Sequence, residues 1–263
     1  MGDKRKKLGI ALGAGSSRGL AHIGVLQVLV EHEVPIDYIA GCSMGAVIGV
    51  IYAAGAETHM LGELACNMRL DQLLDIRVPR QGFIRGERIY SLLRLLTKQK
   101  NLEDLDIPTQ VVATNIETGE LVILKEGNAA DAVRASISIP GVFGPHRIDD
   151  ALLVDGAVLE RLPSGVVRQM GADVVVGVNV TATFRDLVSK NPVGNVIEII
   201  AQTTDIMGKE LFQIKENPAD IILLPPVWDI GSAELERAEE AIEAGRQATL
   251  QALSDIKRLL GIS

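Results

Sequence analysis

The sequence predicts an α/β fold built on a mostly parallel sheet, and three observations lead there. Two short apolar runs, at 8–12 and 38–41, each pass into a turn of glycine and serine and then into a segment with helical spacing. Strand, tight turn and helix in that order are the repeating unit of a parallel sheet, because parallel neighbours need a crossover connection. Further along, 174–180 and 220–224 repeat the short apolar run, with an amphipathic stretch at 193–212 between them.

Taken in order, Leu8-Gly9-Ile10-Ala11-Leu12 reads as a strand covered on both faces, since it is short, apolar throughout and bounded by glycine. It enters Gly13-Ala14-Gly15-Ser16-Ser17-Arg18-Gly19, after which Leu20, Ile23, Leu26 and Val30 recur at helical spacing up to Glu33. The second run enters Gly41-Cys42-Ser43-Met44-Gly45 and leaves as a helix that reaches Ala54-Gly55. A right-handed crossover would set the first two strands side by side, with both turns at one edge of the sheet.

Helices are expected at 57–69 and 86–98. Between them, Leu70, Leu73, Leu74, Ile76, Phe83 and Ile84 stand among charges and read either as core or as an apolar cover over a cleft. Thr109–Asn115 and 120–125, separated by Ile116-Glu117-Thr118-Gly119, read as a hairpin. A helix at 131–138 ends at Pro140-Gly141, and a strand at 151–154 runs into Asp155-Gly156-Ala157. If that strand is parallel to the others, Asp155 comes to the same edge as the two earlier turns. The final helix, 234–260, carries Leu235, Ala238, Ile242, Gly245, Leu253, Ile256 and Leu260 as a face for packing on the sheet.

At 263 residues with no linker-like segment, the chain reads as one domain over 1–263, with its motifs in 8–180 and a C-terminal helical part at 190–263. A net charge of -8 argues against a general nucleic-acid binder. Lys4-Arg5-Lys6-Lys7 reads as a solvated tail, or as a weak contact to an anionic lipid surface. No apolar run is long enough for a membrane span, which leads to an expected cytoplasmic location, free or peripheral to the membrane. Cys42 and Cys66 form no disulfide framework and no CxxC pair; both read as buried thiols, and neither a metal nor another cofactor is expected.

The chemistry centres on Gly41-x-Ser43-x-Gly45. A strand that turns sharply into a helix holds its serine in a strained conformation with the hydroxyl exposed, while the first helical amides, starting at Met44, face developing negative charge. The glycine loop at 13–19 suits either a phosphate or an oxyanion. A dinucleotide site needs an acid at the end of the second strand, but Asp37 precedes that strand, which weakens the nucleotide reading. A serine hydroxyl needs a base. The four histidines are His22, His32, His59 and His146, so the last 117 residues hold none, against the order of the α/β-hydrolases. His146 with Asp131 could still close a set; otherwise a carboxylate must serve, and Asp155 at a strand end beside Gly156 is the best placed.

The glycine loop with Arg18-Gly19, Gly41-x-Ser43-x-Gly45 and Asp155-Gly156-Ala157, in this order, resemble the patatin-like phospholipase family. So do Leu20-Ala21-His22-Ile23-Gly24-Val25-Leu26, Ala135-Ser136-Ile137-Ser138-Ile139-Pro140-Gly141-Val142-Phe143, and Leu162-Pro163 followed by Gly171-Ala172-Asp173. The resemblance implies a three-layer α/β/α fold and a Ser/Asp dyad that cleaves acyl esters of lipids. Ser43 would be the nucleophile and Asp155 the base. The loop Gly13, Ala14, Gly15, Ser16, Arg18 and Gly19, with the Met44 amide, would hold the oxyanion, and Gly41, Gly45, Gly156 and Ala157 would support it. Ala14-Gly15-Ser16 stands where the family commonly has three glycines, and alanine and serine suit positions 14 and 16 only if neither needs a positive φ. A silent lipid-binding protein of the same fold is the alternative to an acyl hydrolase.

Overall fold

Successive residues of the central strands face opposite sides of the sheet, and the two sides carry different cores. The computed structural model describes residues 5–73, 85–181, 196–214 and 217–262. In β1 (Leu8–Leu12), Leu8, Ile10 and Leu12 enter the larger core with α1 (Ala21–Glu31), α2 (Met44–Ala53), α3 (Thr58–Asn67) and α9 (Ala238–Leu260). Ala11 enters a smaller core with Leu162 and with Val166 and Val167 of α7 (Ser164–Gln169). Phe212 of α8 (Val196–Ile214) packs on the same side. Helices therefore cover both faces, and the three-layer α/β/α arrangement follows.

β1 lies between β2 (Tyr38–Cys42) and β7 (Val174–Val178), with β3 (Thr109–Asn115) beyond β2 and β8 (Ile221–Leu223) beyond β7; all five are parallel. β4 (Glu120–Leu124) returns antiparallel along β3 as the expected hairpin. The remaining described strands and α-helices are α4 (Leu70–Leu73), α5 (Glu87–Leu96), α6 (Ala129–Ser136), β5 (His146–Ile148) and β6 (Ala151–Asp155). β5 and α7 are too short to give a periodic signal, and the sequence did not announce them.

Three expectations are corrected. β6 is antiparallel to β3, not parallel to the sheet. It reaches the right edge by another route. β2 pairs with β3 up to Cys42 opposite Val112, β6 pairs with β3 from Asp155 opposite Ala113, and β4 overlaps both pairings. β2 and β6 must then share one edge of β3 and meet end to end. The long C-terminal helix α9 packs mainly along α1, with Arg246 bridging to Glu31 at 2.7 Å, and less on the sheet. Cys66 is exposed, on the solvent side of α3, whereas Cys42 is buried as expected. Of the proposed cleft cover, Leu70 is exposed and Leu73 packs on the core; Leu74, Ile76, Phe83 and Ile84 lie outside the described residues.

The basic start is tied down at the opposite end of the strands. Arg5 pairs with Asp37 at 2.7 Å, Asp37 also accepts the Leu8 amide, and Lys7 Nζ donates to the Tyr38 hydroxyl. Asp37 thus caps the N-terminal edge of the sheet, far from where a ribose would meet a strand end. No helix among the described residues is long and apolar enough to cross a membrane.

Candidate active site

Where β2 ends, Ser43 has φ 53° and ψ −122°, a conformation that non-glycine residues seldom adopt and that costs on the order of 1–3 kcal/mol. The turn is tight because the residues beside it have no side chains. A Cβ on Gly45 would sit on the Leu12 carbonyl oxygen, and one on Gly41 would meet Ala46 N at 2.6 Å. The helix begins at once, as Ala46 and Val47 both donate to Ser43 O.

Asp155 arrives from the other direction. Its Oδ2 accepts the Ser43 hydroxyl at 2.7 Å, and its Oδ1 accepts the Ala157 amide at 2.8 Å. Both residues are almost fully buried. A Cβ on Gly156 would come within 2.5 Å of Val112 O, so the turn after the acid can press against β3 only as glycine. Cys42 Sγ lies 3.9 Å from Asp155 Oδ1. Burial first, and then the Asp155 carboxylate, push the Cys42 thiol well above its ordinary range, so it remains a neutral, weak donor.

The glycine loop closes the third side. It turns through a short 3₁₀ segment, Ser16–Leu20, and touches the Ser43 turn directly: a Cβ on Gly19 would meet Met44 Cβ at 2.6 Å. The Gly13 amide donates to Val178 O and the Ala14 amide to Arg161 O, which anchors the loop to the end of β7 and to the segment before α7. Among the described residues, the Gly15 and Ser16 amides have no acceptor. Both belong to the loop that the family resemblance assigned to an oxyanion. Arg18 is buried, with its amide on Gly15 O. Ala14 needs no positive φ, but Ser16 has φ 50°, which overturns the expectation for that position.

His22, from the first turn of α1, donates through Nε2 to Gly13 O at 2.8 Å and is fully buried. Burial pulls its pKa down to about 4, against a smaller opposing effect of the Gly13 hydrogen bond, so the ring is neutral. The alternative base pair does form: His146 Nε2 is 2.9 Å from Asp131 Oδ1. Ser43, however, gives its hydroxyl to Asp155. No group of three or more His, Cys, Asp or Glu among the described residues could hold a metal ion.

The sequence did not single out the individual residues of Ala135-Ser136-Ile137-Ser138 that touch this site. Ser136 Oγ accepts the Ser43 amide at 2.9 Å and donates to Val112 O at 2.7 Å, and Ser138 O accepts the Asp155 amide at 3.0 Å. Buried Arg134 donates to Ser138 Oγ at 2.7 Å and lies over the Phe143 ring. Two serines with an arginine just before Pro140, in a block already notable for its likeness, were the available signal.

A family model described as patatin-like phospholipase matches residues 10–167. An uncharacterized NTE family protein of Mycobacterium tuberculosis is 38% identical over 184 residues, 69% of this chain and 51% of its own length. A second from the same species is 30% identical over 284 residues, covering 96% of this chain and 48% of itself, so this chain spans about half of these relatives. Lysophospholipase NTE1 of Pyricularia oryzae is 26% identical over 96% of this chain and 19% of its own length. Among solved structures, VipD from Legionella pneumophila has a similar fold, with a TM-score of 0.68 at 15% identity, covering 95% of this chain and 67% of that one.

Proposed function

Because this chain belongs to the patatin-like phospholipase family, we propose that it is a serine acyl hydrolase of lipid esters that works through Ser43 and Asp155. The observation that carries the reading is the 2.7 Å hydrogen bond from the strained Ser43 to the buried Asp155 carboxylate. A hydroxyl becomes a useful nucleophile when a neighbouring base takes its proton, and this carboxylate is the base within reach.

Ser43 Oγ attacks the ester carbonyl carbon while its proton passes to Asp155 Oδ2. The carbonyl oxygen becomes an oxyanion, held by the Gly15 and Ser16 amides and by the Met44 amide at the start of α2. As the intermediate collapses, Asp155 returns the proton to the departing alkoxide, and the alcohol leaves an acyl-serine. Water then gives a proton to Asp155 and attacks the acyl carbon. Collapse of that second intermediate restores the Ser43 hydroxyl and releases the fatty acid.

The test is labelling with a fluorophosphonate, together with fatty acid release from a panel of phospholipid, lysophospholipid and glyceride esters. The wild type should label and turn over, and Ser43→Ala should do neither; equal labelling of the two proteins would refute the assignment. Binding without turnover has one observation in its favour, the serine at φ 50° in the oxyanion loop. It requires phospholipid binding with no hydrolysis of short p-nitrophenyl esters.

A further inference from the structure

The ladder between β2 and β3 can be followed rung by rung to the point where it fails. Ile39 N donates to Pro108 O at 3.1 Å, with Ile39 in register with Thr109. Donors in a parallel ladder step by two, so the next rungs run from Gly41 N toward Gln110 O and from Ser43 N toward Val112 O. The last one is not made directly. Ser136 Oγ stands in it, accepting from Ser43 N at 2.9 Å and donating to Val112 O at 2.7 Å.

We infer that Ser136 is a positioning residue for Ser43: its hydroxyl is inserted into the final rung and holds the end of β2 off β3 by the width of one oxygen. The inference rests on the acyl-hydrolase reading for its kinetic consequence, while its geometry stands without it. Three features support it. Ser136 is completely buried at the C-terminal end of α6, so no water competes for its hydroxyl. The Val112 carbonyl is the place where β2 and β6 meet, since Cys42 is in register with Val112, Asp155 with the next residue, and Gly156 presses on that same oxygen. The following turn of the chain holds the other partner, through Ser138 O and the Asp155 amide at 3.0 Å.

One short segment therefore fixes both sides of the Ser43–Asp155 contact. A hydroxyl can do this because it accepts and donates at once. A direct Ser43 N to Val112 O bond would draw the serine toward β3 and turn Oγ away from a carboxylate that enters along the same edge. Displacements of about 1 Å at a reacting atom can cost a hundredfold in rate.

The experiment compares wild type, Ser136→Ala and Ser136→Cys by amide hydrogen exchange at Ser43, by kcat and KM on a p-nitrophenyl ester, and by melting temperature. Alanine removes the oxygen that stands between the strands and leaves the Ser43 N–H without its acceptor. Exchange at that amide should accelerate at least tenfold, and kcat should fall on the order of ten- to a hundredfold with KM within about twofold. Cysteine, with a weaker donor and acceptor, should lie between, and it carries the same test if the alanine variant does not fold. Unchanged Ser43 exchange, or unchanged kcat in a protein whose turnover requires Ser43, overturns the inference. If the wild type has no Ser43-dependent turnover, the proposed function falls and the exchange rate alone decides the role of Ser136.

Discussion

Around Ser43 the protein packs backbone against backbone, whereas around Asp155 it surrounds a carboxylate with hydrogen-bond donors. The serine side is made of absences: Gly41, Gly45 and Gly19 let the Ala46 amide, the Leu12 carbonyl and the Met44 side chain come where a Cβ would be. The aspartate side is made of groups: the Ser43 hydroxyl, the Ala157 amide and the Cys42 thiol on its oxygens, and Ser138 O on its own amide. Added volume should therefore damage the first side through folding, and altered charge should damage the second through chemistry.

The pair Gly45→Ala and Asp155→Asn separates these two effects most widely. Asparagine keeps the shape and an acceptor for Ala157 N, so melting should move by only a few degrees while kcat falls on the order of 10²–10⁴-fold with the loss of the base. Alanine at position 45 drives a methyl into the Leu12 carbonyl, which is main chain of a central strand and cannot turn aside. Destabilisation of about 3 kcal/mol is expected, visible as a lower urea midpoint or as insoluble protein. If Asp155→Asn unfolds while Gly45→Ala does not, the contrast between the two sides is wrong.

What the sequence made legible follows the same division. Ser43, its glycines and the strand–turn–helix order could be read because tight backbone turns demand particular residues at fixed spacing. Asp155 was legible as a strand-end acid, but not its direction of approach: a five-residue strand looks alike read parallel or antiparallel, and only its partner's register decides. Ser136 was invisible as an individual because a buried serine has no periodicity, and its meaning lies in a rung 93 residues away. Position 16 was misread in the other direction. Nothing in Ala14-Gly15-Ser16 announces that the serine takes a positive φ and the alanine does not.

His22 extends the comparison behind the glycine loop, where a side chain does hold the backbone in place. Its pKa is about 4 in the folded protein against about 6.5 in an unfolded chain. Between those values the unfolded state binds the extra proton, so stability rises with pH across this window and is lost as pH falls from about 6.5 to about 4. The full difference is roughly 3 kcal/mol. Thermal melts at pH 7, 5.5 and 4.5 should show this acid loss in the wild type, and His22→Gln, which can still donate to Gly13 O, should lose less over the same interval. An equal acid loss in both proteins would place the lability in other groups.

The smallest effect concerns the two strained serines, Ser43 at φ 53° and Ser16 at φ 50°. Strain at Ser43 accompanies a hydroxyl that the proposed chemistry uses; the Ser16 side chain has no such role in that chemistry, which draws only on its amide. Glycine at position 16 should therefore relieve the left-handed backbone, a gain of about 1–2 kcal/mol, against about 0.5–1 kcal/mol for the greater freedom of glycine in the unfolded chain. The net expectation is a stabilisation of about 0.5–1 kcal/mol, read as a small rise in melting temperature, with fluorophosphonate labelling at least as fast as in the wild type. Slower labelling in Ser16→Gly would mean that the serine side chain itself holds the loop in its working shape, so that this strain too is part of the site.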